Sequence, residues 1–224
     1  SYVQFEAGKF HTCAIKSDGL PACWGNNNNG QSDPPQEEFR AIRAGFSHSC
    51  GEYPDGTVAC WGLNNDGQTD PPEASFSHIT LGHWHGCGVT ADGEILCWGK
   101  NEYGQINVIA AEQGNYTQVS TGGFHTAALT ADGAIVCWGY NGWGNCNAPP
   151  ATFIHVASGI KHTCGILDTG ESLCWGDNSS GQCSPPPADF IHLAGGHDHT
   201  CGLTTDGEIL CWGLNSSGQC NVPQ

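Results

Sequence analysis

The chain has 224 residues, 38% hydrophobic and only 12% charged, with 6 Lys and Arg against 22 Asp and Glu, a formal charge of −16. That balance excludes a nucleic-acid binder, because phosphate contact needs clustered Lys and Arg, and it argues against docking on anionic lipid. No apolar run approaches the ~18 residues of a membrane span. Fourteen cysteines point to an oxidising compartment, and so to a secreted, extracellular protein. Methionine is absent, a starting Met included, which fits a mature chain whose signal peptide has been removed, or a trimmed one.

Taken in order, the chain repeats one motif six times. Trp-Gly recurs at Trp24, Trp61, Trp98, Trp138, Trp175 and Trp212, in steps of 37, 37, 40, 37 and 37 residues. The longer step carries an insertion around Ala110–Tyr116. The units run approximately 2–38, 39–75, 76–115, 116–152, 153–189 and 190–224, and a single domain of these repeats fills the sequence. Each begins on an aromatic, as at Tyr2, and reaches roughly Gly-x-x-His-Thr-Cys through an apolar stretch. An Asp-Gly turn follows (Thr169-Gly170 in unit five), then Cys-Trp-Gly, then a second turn, Asn-x-x-Gly-Gln. Asp-Gly between short apolar runs predicts a hairpin in which both central residues take positive φ. Folding unit three about Asp92 sets Val89 opposite Ile95 and Cys87 opposite Cys97. Proline pairs such as Pro34-Pro35 and Pro71-Pro72 mark outer or linking segments, where no ladder donor is needed. No stretch has a helical period. Three or four short antiparallel strands per unit, repeated radially, predict an all-β, six-bladed β-propeller. Ends that meet in phase suit a closed ring better than a solenoid needing capping repeats.

These residues carry a family resemblance. Gly-x-x-His-Thr-Cys-Ala followed by Cys-Trp-Gly-x-Asn-x-x-Gly-Gln resembles the regulator of chromosome condensation repeat. The short unit with Pro-containing tails is most similar to secreted bacterial members, among them a β-lactamase inhibitor. The resemblance implies a propeller, commonly of seven blades rather than six. It fixes no single function, because the fold hosts unrelated activities. Guanine-nucleotide exchange, the activity of the nuclear founder, conflicts with the acidic charge and the paired cysteines.

Five units hold cysteines ten residues apart: Cys13/Cys23, Cys50/Cys60, Cys87/Cys97, Cys164/Cys174 and Cys201/Cys211. Facing each other across the predicted hairpin, they suit disulfides. Metal sites favour spacings of two to four residues, which these pairs lack. Ala127 stands where unit four should have its first cysteine, so Cys137 is left with Cys146, Cys183 and Cys220. Cys137–Cys146 is a candidate bridge inside blade four. Cys183 and Cys220 remain open between free thiols, an internal bridge and pairing between molecules.

The His at 11, 48, 85, 125, 162 and 199 recurs in phase and reads as structural, because a residue in every unit serves what every unit needs. The same holds for the repeated Trp as core anchors and for the Asn of the second turn. His83-Trp-His85 and His197-Asp-His199 are the only arrangements resembling a metal site, and no cofactor is called for. There is no Gly-x-Ser-x-Gly, no His-Glu-x-x-His and no phosphate loop, so no enzyme is expected. Three glycosylation sequons occur, and Asn115, in the insertion, is the best glycan candidate.

Function should lie where units differ. The two residues between Gly and His vary most: Lys9-Phe10, Phe46-Ser47, His83-Trp84, Gly123-Phe124, Ile160-Lys161 and His197-Asp198. Phe10, Phe46, Trp84, Phe124 and Ile160 would form an apolar crown, with His83, Lys161, His197 and Asp198 as its polar members; the alternative is that several of these side chains fold inward and plug the channel. In the β-lactamase inhibitor, loops of this face supply the aromatics that grip the enzyme, so the resemblance implies the same use. Tyr103, Tyr140 and Trp143 add a second aromatic spot. The expected role is a non-catalytic module holding a protein partner. The alternatives are a self-assembling structural subunit and a glycan-binding lectin.

Overall fold

The computed structural model describes residues 1–109 and 115–223. It is all-β, with no helix among the described residues, and each repeat forms one three-stranded antiparallel sheet, or blade. Blade 1 comprises Tyr2–Ala7, His11–Lys16 and Pro21–Gly25, and blade 2 comprises Ala41–Ala44, His48–Glu52 and Val58–Gly62. Blade 3 comprises Phe76–Leu81, His85–Thr90 and Ile95–Gly99, and blade 4 comprises Tyr116–Thr121, His125–Thr130 and Ile135–Gly139. Blade 5 comprises Phe153–Ser158, His162–Leu167 and Ser172–Gly176, and blade 6 comprises Phe190–Gly195, His199–Thr204 and Ile209–Gly213. The chain divides into two compact units, Ser1–Glu102 and Tyr103–Gln224. The first holds the strands of blades 1 to 3. The second opens on the Gly-Gln turn of the third repeat and holds blades 4 to 6.

The hairpin register follows from the sequence: Val89 faces Ile95 and Cys87 faces Cys97. The loop differs from expectation. Every positive-φ residue described is a glycine, so Asp18 and its equivalents keep ordinary φ. Gly19 N–H donates to the Lys16 carbonyl at 2.9 Å and Lys16 N–H to the Leu20 carbonyl at 3.0 Å. This is a three-residue loop with the left-handed residue last. Glycine takes that conformation without steric cost, while the Asp stays right-handed and its carboxylate accepts the Leu20 N–H at 3.1 Å.

The five cysteine pairs ten apart are cross-strand disulfides, as the spacing predicts: Cys13–Cys23, Cys50–Cys60, Cys87–Cys97, Cys164–Cys174 and Cys201–Cys211. Each joins directly opposed residues of the second and third strands of its blade. The two ends of a bridge differ in setting. Cys13, Cys50, Cys87 and Cys164 are fully buried, whereas their partners Cys23, Cys60, Cys97 and Cys174 are only partly so, and both Cys201 and Cys211 are part-buried. Cys23, Cys60 and Cys174 pack at the edges of the apolar clusters. Cys137 faces Ala127 across its ladder and is bridged to Cys146, tying the last strand of blade 4 to the turn that follows it. Cys183 and Cys220 are free thiols. In the second turns of units one, two, four, five and six the Asn closes the loop as expected; the Asn27 side-chain oxygen accepts the Ser32 N–H at 2.9 Å, and Asn178 and Asn215 do the same for Cys183 and Cys220.

Blades pack through one repeated arrangement. In the first unit, Cys13 and Ile15 of blade 1 meet Phe39, Ile42 and Trp61 of blade 2. In the second, Ala157, Cys164 and Ile166 of blade 5 meet Phe190, Leu193 and Trp212 of blade 6. At the rim of these junctions a Trp, buried except at the part-buried Trp175, donates its Nε1–H to the backbone carbonyl of the preceding turn. Trp61 reaches the Gln31 carbonyl at 3.0 Å, Trp98 that of Gln68 at 3.1 Å, and Trp138, Trp175 and Trp212 those of Gln105, Asn145 and Gln182 at 2.9 Å. A buried carbonyl left without a donor would be costly, and the Trp ring covers apolar surface with the same side chain. Trp61→Phe keeps the ring over Phe39 and removes one donor to Gln31. We expect a loss of about 1–2 kcal/mol in urea unfolding, with an unchanged slope; a loss indistinguishable from zero would show that the bond contributes nothing.

Candidate functional site

The variable residues sit in the loop between the first and second strands of each blade. A backbone bond fixes that loop against the segment after the third strand. Asn26 N–H donates to the Phe10 carbonyl at 2.8 Å, Lys100 to Trp84 at 2.9 Å and Tyr140 to Phe124 at 2.8 Å. The glycine of Trp-Gly makes this approach workable. At Gly25, φ is +104°, and a Cβ would sit 2.6 Å from the Phe10 carbonyl oxygen. The side chains of the first loop and of the second turn are therefore presented side by side from a rigid frame.

In the first unit this produces one cluster. The Lys9 ammonium lies 4.7 Å from the Phe10 ring and 4.1 Å from the Phe46 ring. Phe46 lies 4.8 Å from both His83, edge-on, and Trp84. Phe10 is exposed, while Phe46, His83 and Trp84 are half-buried. The second unit has its own cluster. Tyr103 meets Phe124 at 5.5 Å and Tyr140 at 5.1 Å, Tyr140 meets Trp143 at 4.7 Å, and Lys161 lies over the Trp143 ring at 5.2 Å. Tyr103, Tyr140 and Trp143 come from second turns, so the aromatic spot set apart in the sequence is continuous with Phe124. The sequence carried the phase of these residues but not the backbone bond that joins the two loops.

Ile160 does not belong to an exposed crown. It is buried at 8% exposure, and its side chain and carbonyl fill the space beside Gly123, where a Cβ would come within 2.8 Å of it. An aliphatic side chain with room beneath it folds inward. His197 is exposed and pairs through Nδ1 with Asp198 at 2.7 Å. Asn115 is exposed, whereas the side-chain amides of Asn178 and Asn215 are engaged by Ser184 and Asn221. Most of the insertion, residues 110–114, lies outside the described residues.

Of the six cations, Lys9 and Lys161 lie over aromatic rings. Lys100 pairs with Glu102 at 3.0 Å. Arg40 and Arg43 converge on the buried Glu52 at 3.3 and 3.4 Å and donate to the Phe76 and Ile79 carbonyls of blade 3. No repeated position signals this buried ionic bridge between blades 2 and 3. Its function is structural, because every charge in it is engaged by protein.

The repeated His is part of the blade junction. His11 Nε2–H donates to Ser49 Oγ at 2.8 Å, and Ser49 Oγ–H donates to the Gln31 carbonyl at 3.1 Å, the same carbonyl that Trp61 reaches. His125–Thr163 and His162–Thr200 repeat the relay at 2.9 and 2.8 Å. Burial pulls His48 and His125 down from 6.5 to about 3 and His162 to about 4. They stay neutral, so they are not proton donors at neutral pH. No group of three or more His, Cys, Asp or Glu able to hold a metal occurs among the described residues. Cys183 is pushed up to about 12 by burial and by Asp177, so its thiol stays protonated and a poor nucleophile.

The regulator of chromosome condensation (RCC1) repeat model matches residues 2–31, 39–68, 76–105, 116–145, 153–182 and 190–219. The chain belongs to the RCC1 repeat family. No curated protein sequence matches it. Among solved structures, it is similar to the CRINKLY WD40 ectodomain of the Arabidopsis thaliana receptor kinase ACR4, at 25% identity and a TM-score of 0.78, over 94% of this chain and 80% of that one. It is similar to the ectodomain of the Physcomitrella patens receptor kinase CR4, at 24% identity and a TM-score of 0.81, over 99% of this chain and 66% of that one. Prp20p of Saccharomyces cerevisiae shares the fold at 16% identity and a TM-score of 0.84, over 100% of this chain and 74% of that one.

The burial of the repeated His gives a pH dependence. An unfolded chain binds protons at these His below about pH 6.5, and the folded protein, with His48 and His125 near 3 and His162 near 4, does not. Stability is thus complete above that range and is lost as pH falls. The thermal midpoint is expected to be flat from pH 8 to 7 and to drop progressively from pH 6.5 to 5 in a calorimetric series. A midpoint that rises over that interval would contradict the assignment.

Proposed function

We propose that this RCC1-repeat protein is an extracellular, non-catalytic binding module that holds a protein partner on its exposed aromatic clusters. One observation carries the reading. Lys9, Phe10, Phe46, His83 and Trp84 are drawn from three consecutive repeats at positions the blades do not need, yet they touch one another in a rigid, part-exposed cluster. Clustered aromatics with a cation at the edge have the composition of binding hot spots. Residues used by the fold are buried, whereas these are left on the surface at the expense of exposed apolar area. The six disulfides and the likeness to receptor-kinase ectodomains support an extracellular setting.

The cluster around Tyr103, Tyr140 and Trp143 extends the same role. Its rings meet edge-on, at 61° to 73°. They therefore pack against each other rather than offering one flat platform to a sugar, which favours a protein partner over a glycan. The test is a binding screen of the 224-residue protein against arrayed extracellular proteins and, in parallel, a glycan array. Trp84→Ala and Phe46→Ser are expected to weaken a protein interaction by about tenfold or more, with thermal midpoints within about 2 °C of the parent. Protein binding indifferent to both substitutions, or binding to glycans alone, would overturn the proposal.

A further inference from the structure

In every blade the third strand is an edge, paired with the second strand on one side only. The register tells which backbone groups that edge leaves over. The Cα atoms of Cys164 and Cys174 lie 4.0 Å apart, and so do those of Cys50 and Cys60. That matches a non-hydrogen-bonded antiparallel pair, at about 4.5 Å, and not a hydrogen-bonded one, at about 5.5 Å. The hairpin ends agree. Leu167 N–H donates to the Glu171 carbonyl and Tyr53 N–H to the Thr57 carbonyl, both at 2.8 Å. The next pairs, Ile166 with Ser172 and Glu52 with Val58, are then non-hydrogen-bonded as well. So the N–H and C=O of Ser172 and Cys174 in blade 5, and of Val58 and Cys60 in blade 2, point away from their blades. Among the described residues no backbone group answers them. Blade 1 carries Pro21 at the position of Ser172 and Val58, and proline has no N–H for a ladder to use.

A groove lies along each of these two edges. In blade 5 it has a volume of about 470 Å³ and separates Ser172 from Pro185-Pro186-Pro187. In blade 2 it has a volume of about 450 Å³ and separates Val58 from Pro71-Pro72. The two sit at equivalent positions of the repeat, and each lies within one compact unit. Proline cannot donate to a ladder, so the Pro-rich segment stands opposite the edge without closing it. A segment that only guarded the edge would cover it. Here a space the size of a ligand cleft remains between them.

The grooves also share one sign of charge. Glu171 and Asp189 line the first and Glu73 the second, and all three are exposed. None of the ion pairs among the described residues involves them.

We propose that these grooves take an extended, basic segment of a protein partner, which adds to the third-strand edge as a fourth strand. Its main chain bonds the outward N–H and C=O of Ser172 or Val58, and its Lys or Arg side chains meet Glu171 and Asp189, or Glu73. The charge of −16 draws such a segment in. A second copy of this chain does not supply it. Lys9, Lys161, Lys100, Arg40 and Arg43 are engaged within their own molecule, and Lys16 belongs to the middle strand of blade 1, which is paired on both sides. This surface is separate from the aromatic clusters, whose residues come from other loops of the repeat.

The test pans a random peptide library displayed on phage against the 224-residue protein. The selected peptides are then measured by fluorescence anisotropy at physiological ionic strength. They are expected to be rich in Lys and Arg. Ser172→Pro combined with Val58→Pro should weaken their binding by about tenfold or more. The fold should hold, because Pro21 already occupies this position in blade 1. Only every second N–H of an added strand faces the edge. Methylating the peptide nitrogens of one alternate set of residues should therefore abolish binding, and methylating the other set should not. Selection of no basic peptide, binding indifferent to both prolines, or equal effects of the two methylations would each overturn the proposal. Should the proline variants fail to fold, Glu171→Lys, Asp189→Lys and Glu73→Lys together take their place, and binding that survives them would overturn it equally.

Discussion

The structure depends on one backbone carbonyl per repeat. The residue that ends the second turn (Gln31, Gln68, Gln105, Asn145 or Gln182) offers its carbonyl to the next blade, and the Trp of Cys-Trp-Gly donates to it. A Ser or Thr hydroxyl shares that carbonyl in several junctions, and the preceding blade's His holds the hydroxyl. The bonds lie beside the apolar contact of each junction, where water is excluded and a missing partner is costly. This explains why Gly, His, Cys, Trp and Gln recur together: each is one part of a joint that must be made anew at every blade.

The same joint decides what is left for function. Glycine after Trp lets the chain pass close under the first loop, and the backbone bond there pins that loop and the second turn side by side. Up to two residues per loop and a few per turn then reach the surface on this frame, while Gly123 and Ile160 are buried in it. Preorganised aromatics lose little freedom when a partner arrives, which is how a small surface can bind with useful affinity. The disulfides contribute by closing the hairpin in five of the six blades, so the frame relies less on core volume.

Charge is distributed with the same economy. With only 6 cations against 22 acids, the positions of the cations are informative. Two close the buried bridge to Glu52, one is paired at the surface, and two lie against the aromatic clusters. The remaining acidic surface repels like-charged partners at long range. Recognition therefore rests on the aromatic clusters and their lysines.

The sequence by itself determined the repeat, the strand count to within one, the hairpin register and the cysteine pairs from Cys13–Cys23 to Cys201–Cys211, with Cys137–Cys146 as a candidate. These are local: they depend on turn chemistry and on residues within about ten positions of one another. It also marked Phe10, Phe46, Trp84 and Phe124 as positions outside the blade pattern. It placed the left-handed turn residue wrongly at Asp as well as Gly, because dipeptide preference does not distinguish a two-residue loop from a three-residue one. For Ile160 the inward alternative holds rather than the exposed crown, because the space that receives it exists only where Gly123 of another repeat lacks a side chain. Three further features joined residues of different repeats: the His relay, the Glu52 bridge and the merging of Phe124 with Tyr103 and Trp143. Only tertiary structure decided these, since they are contacts across repeats, and a repeat read singly does not contain its neighbour.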